Sequence, residues 1–222
     1  MTDHISLAPA SDPRHAIADT LEMDIIFGRL PPDQRLIEDD LMARFTASRH
    51  KVRCAIDTLA LRGLVVRETN KGAHVCGYSG AEILQIYELR GILQDAAIRR
   101  IHFPVDPQTI EALRQIDAAH VKAAHVENYA EVFHLNNLFH RTIFACCKSR
   151  VLAEAIELQA HRTYPVRTNS FMQSGYLSLA QREHRKMIDA LEHGNAEALI
   201  LLTRTHMIRP MRDYLAQYNL TP

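Results

Sequence analysis

What the 222-residue sequence lacks narrows the class of protein. It has no run of about 18 apolar residues, so we expect no membrane-spanning helix and no membrane partner. The opening residues MTDHISLAPASDPRH lack the charged-then-apolar layout of a signal peptide, which predicts a cytoplasmic protein. The four cysteines show no CxxC spacing, so neither a disulfide framework nor a zinc knuckle is indicated. We expect buried free thiols, with redox sensing by Cys146 or Cys147 as the alternative.

The net charge is zero, but the charges are distributed unevenly. Residues 44–71 contain seven lysines and arginines against two acidic residues, a local balance of +5, whereas residues 33–40 contain four acidic residues. A basic segment in a neutral chain indicates contact with a polyanion such as DNA. Charge alone leaves open the alternative that the segment is an ordinary solvated surface.

The first eighty residues have the pattern of a helix-turn-helix followed by two strands. The segments HAIADTLEMDIIFGRL and IEDDLMARF predict a first helix and a short second helix. Ser48 is a suitable N-cap for a third helix that ends at Gly63. One face of this third helix is apolar, and the opposite face carries Arg49, His50 and Arg53, as in a recognition helix that enters the major groove. The alternating segment LVVRETNKGAHV then predicts the two strands of a wing.

This pattern resembles the winged helix of the GntR family of regulators. The family motif reads approximately I-x-x-G-x-L-x-P-G-x-x-L-x-E-x-x-L-A, then V-S-R-x-x-V-R-x-A-L-x-x-L-x-x-x-G-L-V, followed by a glycine in the wing. The matching residues are Gly28, Leu30, Pro32, Leu36, Glu38, Leu41, Ser48, Arg49, Val52, Arg53, Ala55, Leu59, Gly63, Leu64 and Gly72. The resemblance implies a homodimer that binds double-stranded DNA at an inverted-repeat operator. It implies that the following residues contact the DNA: Ser48, Arg49, His50, Lys51, Arg53, Lys71 and Gly72.

Four positions depart from the family pattern in this segment. Asp33 replaces the usual turn glycine, and Lys51 and Cys54 replace a common proline and a common glutamate. Asp39 stands where some relatives have an arginine that contacts bases. These changes leave the predicted fold intact but leave the operator sequence open.

From Ser79 onward the sequence predicts helices alone. We predict six, over residues 79–101, 107–126, 128–146, 149–168, 176–193 and 195–218. Long amphipathic helices with short connections predict a compact all-α bundle with a ligand pocket between helices. The predicted fold class is therefore mainly α, with a winged helix-turn-helix DNA-binding domain over residues 1–78 and an all-α helical domain over residues 79–222.

Three histidines of the second domain have a spacing suited to a metal site. Asn136 and His140 lie one turn apart on one helix, and His184 and His206 lie on the last two helices. Side chains from several helices can meet inside a bundle, where imidazoles suit divalent transition metals. Spacing alone also fits ordinary core or surface residues, and four other histidines are interpreted in that way: His120, His125, His134 and His193.

The second domain resembles the ligand-sensing FCD domain of the FadR-type GntR branch, in its VanR-like six-helix subset. The segments NLFHRTIF and EHRKMIDALEHGNAEAL and the later His206 carry the resemblance. It implies a Zn, Ni or Mn ion bound by Asn136, His140, His184 and His206, with open coordination positions for a carboxylate. Asn136 replaces the usual aspartate and removes a negative charge, which implies weaker metal retention or a stronger demand for an anionic effector.

Arginines are the expected ligands of that effector. Arg90 matches an arginine that similar proteins turn into the pocket, where a guanidinium can hold a carboxylate at two points. The alternative role of Arg90 is a salt bridge with Glu82 or another acid. Arg162 and Arg167 are further candidates.

The sequence thus predicts a DNA-binding repressor of a metabolic operon, responding to a small carboxylate bound near the metal. One alternative is a regulator that senses the metal itself. Another is a metal-dependent enzyme that uses the three histidines, but a hydrolase usually needs a general base beside the metal. Glu183 precedes His184 and is expected to point elsewhere on the helix, so we predict that the protein is not an enzyme.

Overall fold

The computed structural model describes residues 16–68 and 72–220. The chain divides into two compact units, Met1–Gly77 and Tyr78–Pro222. The predicted DNA contact Lys71 lies outside the described residues. Within those residues, no helix combines the length and the apolar character that are needed to cross a membrane.

The first unit is a winged helix-turn-helix, as predicted. Its elements in chain order are helix α1 (Ala16–Ile26), strand β1 (Arg35–Leu36), helix α2 (Glu38–Phe45), helix α3 (Arg49–Leu61), strand β2 (Val65–Glu68) and strand β3 (Gly72–Val75). Strand β3 lies between β1 and β2 and is antiparallel to both. Val65 pairs with Val75, and Leu36 pairs with Ala73, so both edge strands are held in a fixed register.

Local signals in the sequence fix where α3 begins and which face it buries. Thr46 adopts a left-handed conformation, with φ +48°, in the turn that ends α2. Ser48 is the N-cap of α3, and its hydroxyl accepts a hydrogen bond from the amide of Lys51. The buried face of α3 packs into a core that includes Leu21, Ile25, Val52, Ile56, Leu59 and Val75. The first turn of α3 therefore packs against the core on one face and is exposed to solvent on the opposite face.

The second unit is helical throughout the part that the structure describes. Its helices are α4 (Gly80–Arg99), α5 (Pro107–His125), α6 (Tyr129–Ala145), α7 (Arg150–Arg162), α8 (Tyr164–Thr168), α9 (Tyr176–Glu192) and α10 (Ala196–Gln217). Helix α5 packs against α6 and α9, and α10 packs against α9 and α4. The most deeply buried side chains of this bundle include Leu113, Phe139, Ile143, Met187 and Leu191.

One predicted helix is divided in two. The single helix predicted over residues 149–168 ends at Arg162, and the short helix α8 begins at Tyr164 after Thr163 leaves helical geometry, with φ −109° and ψ 7°. Pro165 lies at the start of α8. Proline has no amide hydrogen to donate, and its ring collides with the carbonyl four residues earlier, so a continuous helix through this point is unfavourable.

The expectation of four buried thiols is only partly correct. None of the four cysteines, all within the described residues, forms a disulfide; Cys147 is buried, whereas Cys54 is exposed and Cys76 and Cys146 are half-buried. Burial raises the pKa of the Cys146 thiol. A raised pKa lowers the thiolate fraction, which is the opposite of what a redox sensor needs.

Candidate functional site

Three histidines from α6, α9 and α10 meet in the second unit. The ring centroids of His140 and His184 are 5.4 Å apart, those of His140 and His206 are 5.0 Å apart, and those of His184 and His206 are 5.1 Å apart. One nitrogen from each ring lies within 4.8 Å of the others. Zinc–nitrogen bonds are about 2.0–2.1 Å long, so a small inward movement of the rings places all three within bonding distance of one ion.

Burial keeps two of these rings, His140 and His184, in the neutral form that binds metals. His184 is fully buried, and burial lowers the pKa values of His140 and His184 well below the usual value of 6.5. Phe139 stacks on His184 with 4.1 Å between ring centroids and fixes its orientation. The Nε2 atoms of His184 and His206 are buried, and neither has a hydrogen-bond partner among the described residues. Buried nitrogens with unused lone pairs are what a metal centre requires.

Asn136, the fourth predicted ligand, is buried on α6 one turn before His140. Its Nδ2 has no hydrogen-bond partner in the part of the chain that the structure describes. The neighbouring Asn137 has a different role, because its Oδ1 accepts a hydrogen bond from Arg167 at 2.5 Å.

Two carboxylates that the sequence did not assign to the site lie next to ring nitrogens of the histidines. Oε2 of Glu183 lies 2.7 Å from Nδ1 of His206, and Oδ1 of Asp117 lies 3.3 Å from Nδ1 of His184. The expectation that Glu183 points away from this region is therefore wrong, because the side chain reaches across from α9 to α10. His120 is also part of this region, since its ring centroid is 5.2 Å from that of His184.

The four histidines interpreted as ordinary core or surface residues differ in their positions. His120 is a core residue, although it lies beside the cluster, and three are exposed: His125, His134 and His193.

A small cavity of about 60 Å³ adjoins the histidines. Its lining includes His140, His206, Arg90, Arg167 and Thr203. This volume is well below the roughly 300–1,000 Å³ typical of pockets for drug-sized ligands. A ligand that binds here without further opening of the cavity is therefore compact.

The two cavity arginines have no carboxylate partner among the described residues. Arg90 Nη1 donates a hydrogen bond to Thr163 Oγ1 at 2.7 Å, and the Nε atoms of Arg90 and Arg167 are buried without hydrogen-bond partners. Burial lowers the pKa of Arg167, but a guanidinium stays protonated at neutral pH. The predicted alternative of an Arg90–Glu82 salt bridge is not formed, because Glu82 instead caps α4 together with Ser79.

The structure distinguishes the two further arginine candidates. Arg167 lies on the cavity wall, whereas Arg162 is not among the described residues that line the cavity. Arg162 is in the last turn of α7 and Arg167 is in α8. Because the chain breaks between these helices, the two arginines lie on helices with different axes.

The candidate DNA-binding surface of the first unit is exposed but partly neutralised by its own acids. Four predicted contacts at the start of α3 are exposed, Arg49, His50, Lys51 and Arg53, as are the Ser48 cap and Gly72 of the wing. Nη2 of Arg49 donates to Asp39 Oδ1 at 2.5 Å, and Nε of Arg53 donates to Glu38 at 2.9 and 3.0 Å. The acids of α2 therefore lie directly against the arginines of α3.

Comparison with protein families assigns both units. The family model for bacterial regulatory proteins of the gntR family matches residues 13–75, and the FCD domain model matches residues 85–209, which is more than half of the chain. The protein belongs to the GntR family and carries an FCD domain. It is a DNA-binding transcriptional regulator of the GntR/FCD type.

Relatives of this GntR regulator include two repressors. It is 24% identical to the HTH-type transcriptional repressor RspR of Escherichia coli, over 93% of this chain and 91% of the repressor. It is 28% identical to the gluconate operon transcriptional repressor of Bacillus subtilis, over 57% of this chain and 52% of the repressor. The family and these relatives are transcriptional regulators, so the alternative of a metal-dependent enzyme is wrong.

Solved structures share the fold of this GntR regulator. The E. coli protein McbR/YncC superposes with a TM-score of 0.78 at 19% identity, covering 97% of this chain and 100% of that chain. A putative GntR regulator from Rhodococcus sp. RHA1 superposes with a TM-score of 0.69 at 24% identity, covering 91% of this chain and 97% of that chain. The likeness confirms the predicted mainly α fold class.

Proposed function

We propose that this regulator is a metal-containing repressor whose affinity for its operator falls when a small carboxylate binds in the second unit. The observation that carries the proposal is the combination of three convergent histidines with the buried Arg90 and the half-buried Arg167, which lack carboxylate partners among the described residues. Such a site has excess positive charge and binds an anion.

The metal is a divalent cation, with zinc, nickel and manganese as the candidates. His140, His184 and His206 would hold it through ring nitrogens, and Asn136 would add its amide oxygen. A bound ion supplies positive charge and open coordination positions that attract a carboxylate oxygen. The unused, buried Nε2 atoms of two of these histidines support this assignment.

The effector is a compact organic acid. Arg90 and Arg167 approach the cavity from different helices and would hold its carboxylate or hydroxyl oxygens, while Thr203 contributes to the wall. Arg162 does not line the cavity, so Arg167 takes its place in the proposed effector set. The volume of about 60 Å³ favours acids of few heavy atoms, such as small hydroxy acids, over larger sugar or aromatic acids unless the cavity opens further.

The regulator would bind DNA as a homodimer on an inverted repeat. Arg49 and Arg53 would contact base edges and phosphates from the start of α3, and Lys51 and the wing would add phosphate contacts. Exposed large apolar side chains on the neighbouring helices α4 and α10 would bind a second copy of the chain: Leu89, Ile92, Leu201 and Ile208. Two relatives named as repressors support repression as the direction of control.

Sensing of the metal alone is the second candidate. The two cavity arginines favour an organic acid as the effector. Guanidinium groups beside a metal ion repel it unless an anion binds between them, so a site that senses the metal alone would be less stable with them. The two possibilities differ in whether added acid changes the metal-loaded protein.

A thermal-shift experiment tests the metal and acid sites together. Chelation of the purified protein is expected to lower the Tm, one of the three metals to restore it, and a small hydroxy acid to raise it further only in the metal-loaded protein. His140→Ala is expected to remove both responses. His134→Ala is the matched control, because His134 is exposed on the same helix. No response of the wild type to chelation or metal would contradict the metal site, and a response to metal without any response to acids would favour metal sensing.

A further inference from the structure

Two of the three clustered histidines are arranged in the same way. Each has one ring nitrogen against a carboxylate and the other in a buried position without a hydrogen-bond partner among the described residues. For His206, Nδ1 lies 2.7 Å from Glu183 Oε2 and Nε2 is the unpartnered atom. For His184, Nδ1 lies 3.3 Å from Asp117 Oδ1 and Nε2 is again unpartnered. The two carboxylates come from different helices, α5 and α9, so the arrangement does not result from one local turn.

We propose that Asp117 and Glu183 are positioning residues of the metal centre, which orient His184 and His206 and supply the negative charge that Asn136 lacks. This inference rests on the proposed metal site. Neither carboxylate is assigned as a ligand of the ion.

The two carboxylates determine which nitrogen of each ring carries the hydrogen. A neutral imidazole carries one N–H and one lone pair, and a carboxylate can only accept. A carboxylate at Nδ1 therefore keeps the hydrogen on Nδ1 and leaves the Nε2 lone pair for the metal. The Glu183–His206 contact already has hydrogen-bond geometry. The Asp117–His184 contact at 3.3 Å lacks it, and a small rotation of the ring would align the pair.

The two carboxylates also change the charge balance of the proposed metal centre. Three neutral imidazoles and one amide leave the charge of a divalent ion without any compensation by direct ligands. Asp117 is 6% exposed, its one described ion-pair contact is with His184, and Arg185 lies near enough to favour its charged form only in part, because burial still raises the pKa of the Asp117 carboxyl. A buried carboxylate without a direct partner of full positive charge is costly. An ion on the far side of His184 would offset that cost, and the carboxylate would make His184 a stronger donor.

A second ion bound directly by Asp117, His120 and His184 is the competing explanation. Their donor atoms also lie within 4.8 Å of one another, and all three residues are buried. The two explanations differ in stoichiometry, because positioning residues require one ion per chain and a second site requires two.

The test uses the full-length chain and the variants Asp117→Asn and Glu183→Gln. Both changes keep the side-chain shape and remove the negative charge. Affinity for Zn²⁺ is measured by competition with a chromogenic chelator, stoichiometry by metal analysis, and ligand geometry by the visible absorption spectrum of the Co²⁺ form. We expect one ion per wild-type chain and a loss of affinity of about 10- to 100-fold for each variant.

Two controls separate this effect from general damage. Asp189→Asn removes an exposed carboxylate from the same helix α9 and is expected to bind Zn²⁺ like the wild type. Glu183→Asp keeps the charge and is expected to bind more tightly than Glu183→Gln. The Glu183 side chain is 17% exposed, so this pair of variants gives a result even if Asp117→Asn fails to fold.

The outcomes are distinguishable. If the wild type binds one ion and both Asp117→Asn and Glu183→Gln bind Zn²⁺ as tightly as the wild type, this inference is overturned and the proposed metal site is retained. A wild type with two ions and an Asp117→Asn variant with one would overturn it in favour of direct ligation. A wild type that binds no ion would overturn both this inference and the proposed metal site.

Discussion

Replacing Asp39 with asparagine is expected to strengthen binding to DNA of any sequence. The Asp39 side chain is 72% exposed and accepts a hydrogen bond from Arg49, while Glu38 contacts Arg53. Two arginines at the start of α3 are therefore offset by two carboxylates of α2. Phosphates must displace these carboxylates before either arginine contributes fully to binding. The substitution changes the formal charge of this four-residue group from zero to +1.

The size of the effect follows from the exposure of the pair. An exposed ion pair contributes at most about 1 kcal/mol, so releasing Arg49 from Asp39, which leaves its 3.6 Å contact with Glu38, is expected to increase the affinity for random-sequence DNA by no more than about fivefold for each bound copy of the chain. If the freed arginine gains one phosphate contact, the slope of log affinity against log salt becomes steeper by about 0.9.

Fluorescence anisotropy with a random-sequence duplex at several salt concentrations measures both quantities. Glu154→Gln is the matched control, because it removes an exposed acid that pairs with Arg150 on α7 and changes the net charge by the same amount. Equal affinity and equal slope for Asp39→Asn and the wild type would refute the idea that Asp39 offsets Arg49.

Three further predictions address the operator, the effector and the fold. Arg49→Ala is expected to weaken binding to a selected operator by about 5- to 150-fold per half-site in a gel-shift assay, since a bidentate base contact contributes roughly 1–3 kcal/mol; unchanged affinity would place Arg49 away from the bases. Arg167→Met is expected to abolish the thermal response to small acids while the metal content stays the same. A retained response would mean that the Arg167 guanidinium does not bind the acid. Ser79→Ala is expected to lower the free energy of unfolding by about 1 kcal/mol in urea denaturation, because the Ser79 hydroxyl accepts a hydrogen bond from the amide of Glu82 at the start of α4. An unchanged free energy of unfolding would mean that water replaces this hydrogen bond.

The winged helix-turn-helix and the helical bundle could be predicted because their signals are local. Each signal involves only a few neighbouring residues: Ser48 caps α3, the glycine after α3 ends it, and alternating residues mark the strands of the wing. Helical periodicity extends through each long helix. The break at Thr163 was missed because the apolar periodicity continues across it, although Pro165 was a usable signal.

Contacts between distant segments could not be predicted in the same way. The approach of Asp117 to His184 depends on how α5 packs against α9, and the choice of Arg167 over Arg162 depends on the direction of α8. Side-chain partners across helices are set by packing angles that no short sequence pattern specifies. The four acids of residues 33–40 and the adjacent basic segment did contain the signal for the Asp39–Arg49 pair, because α2 and α3 are joined by a short turn.

Operator binding in the presence of metal and acid measures whether the acid releases DNA through the metal site. An operator is first selected from random-sequence DNA with the metal-loaded protein, and its affinity is then measured by anisotropy with and without a panel of small hydroxy and sugar acids. We predict that at least one acid weakens binding by the metal-loaded wild type, with no effect on the chelated protein or on His140→Ala. An acid that acts equally on the chelated protein and on His140→Ala, or a panel without effect on the metal-loaded wild type, would contradict the account.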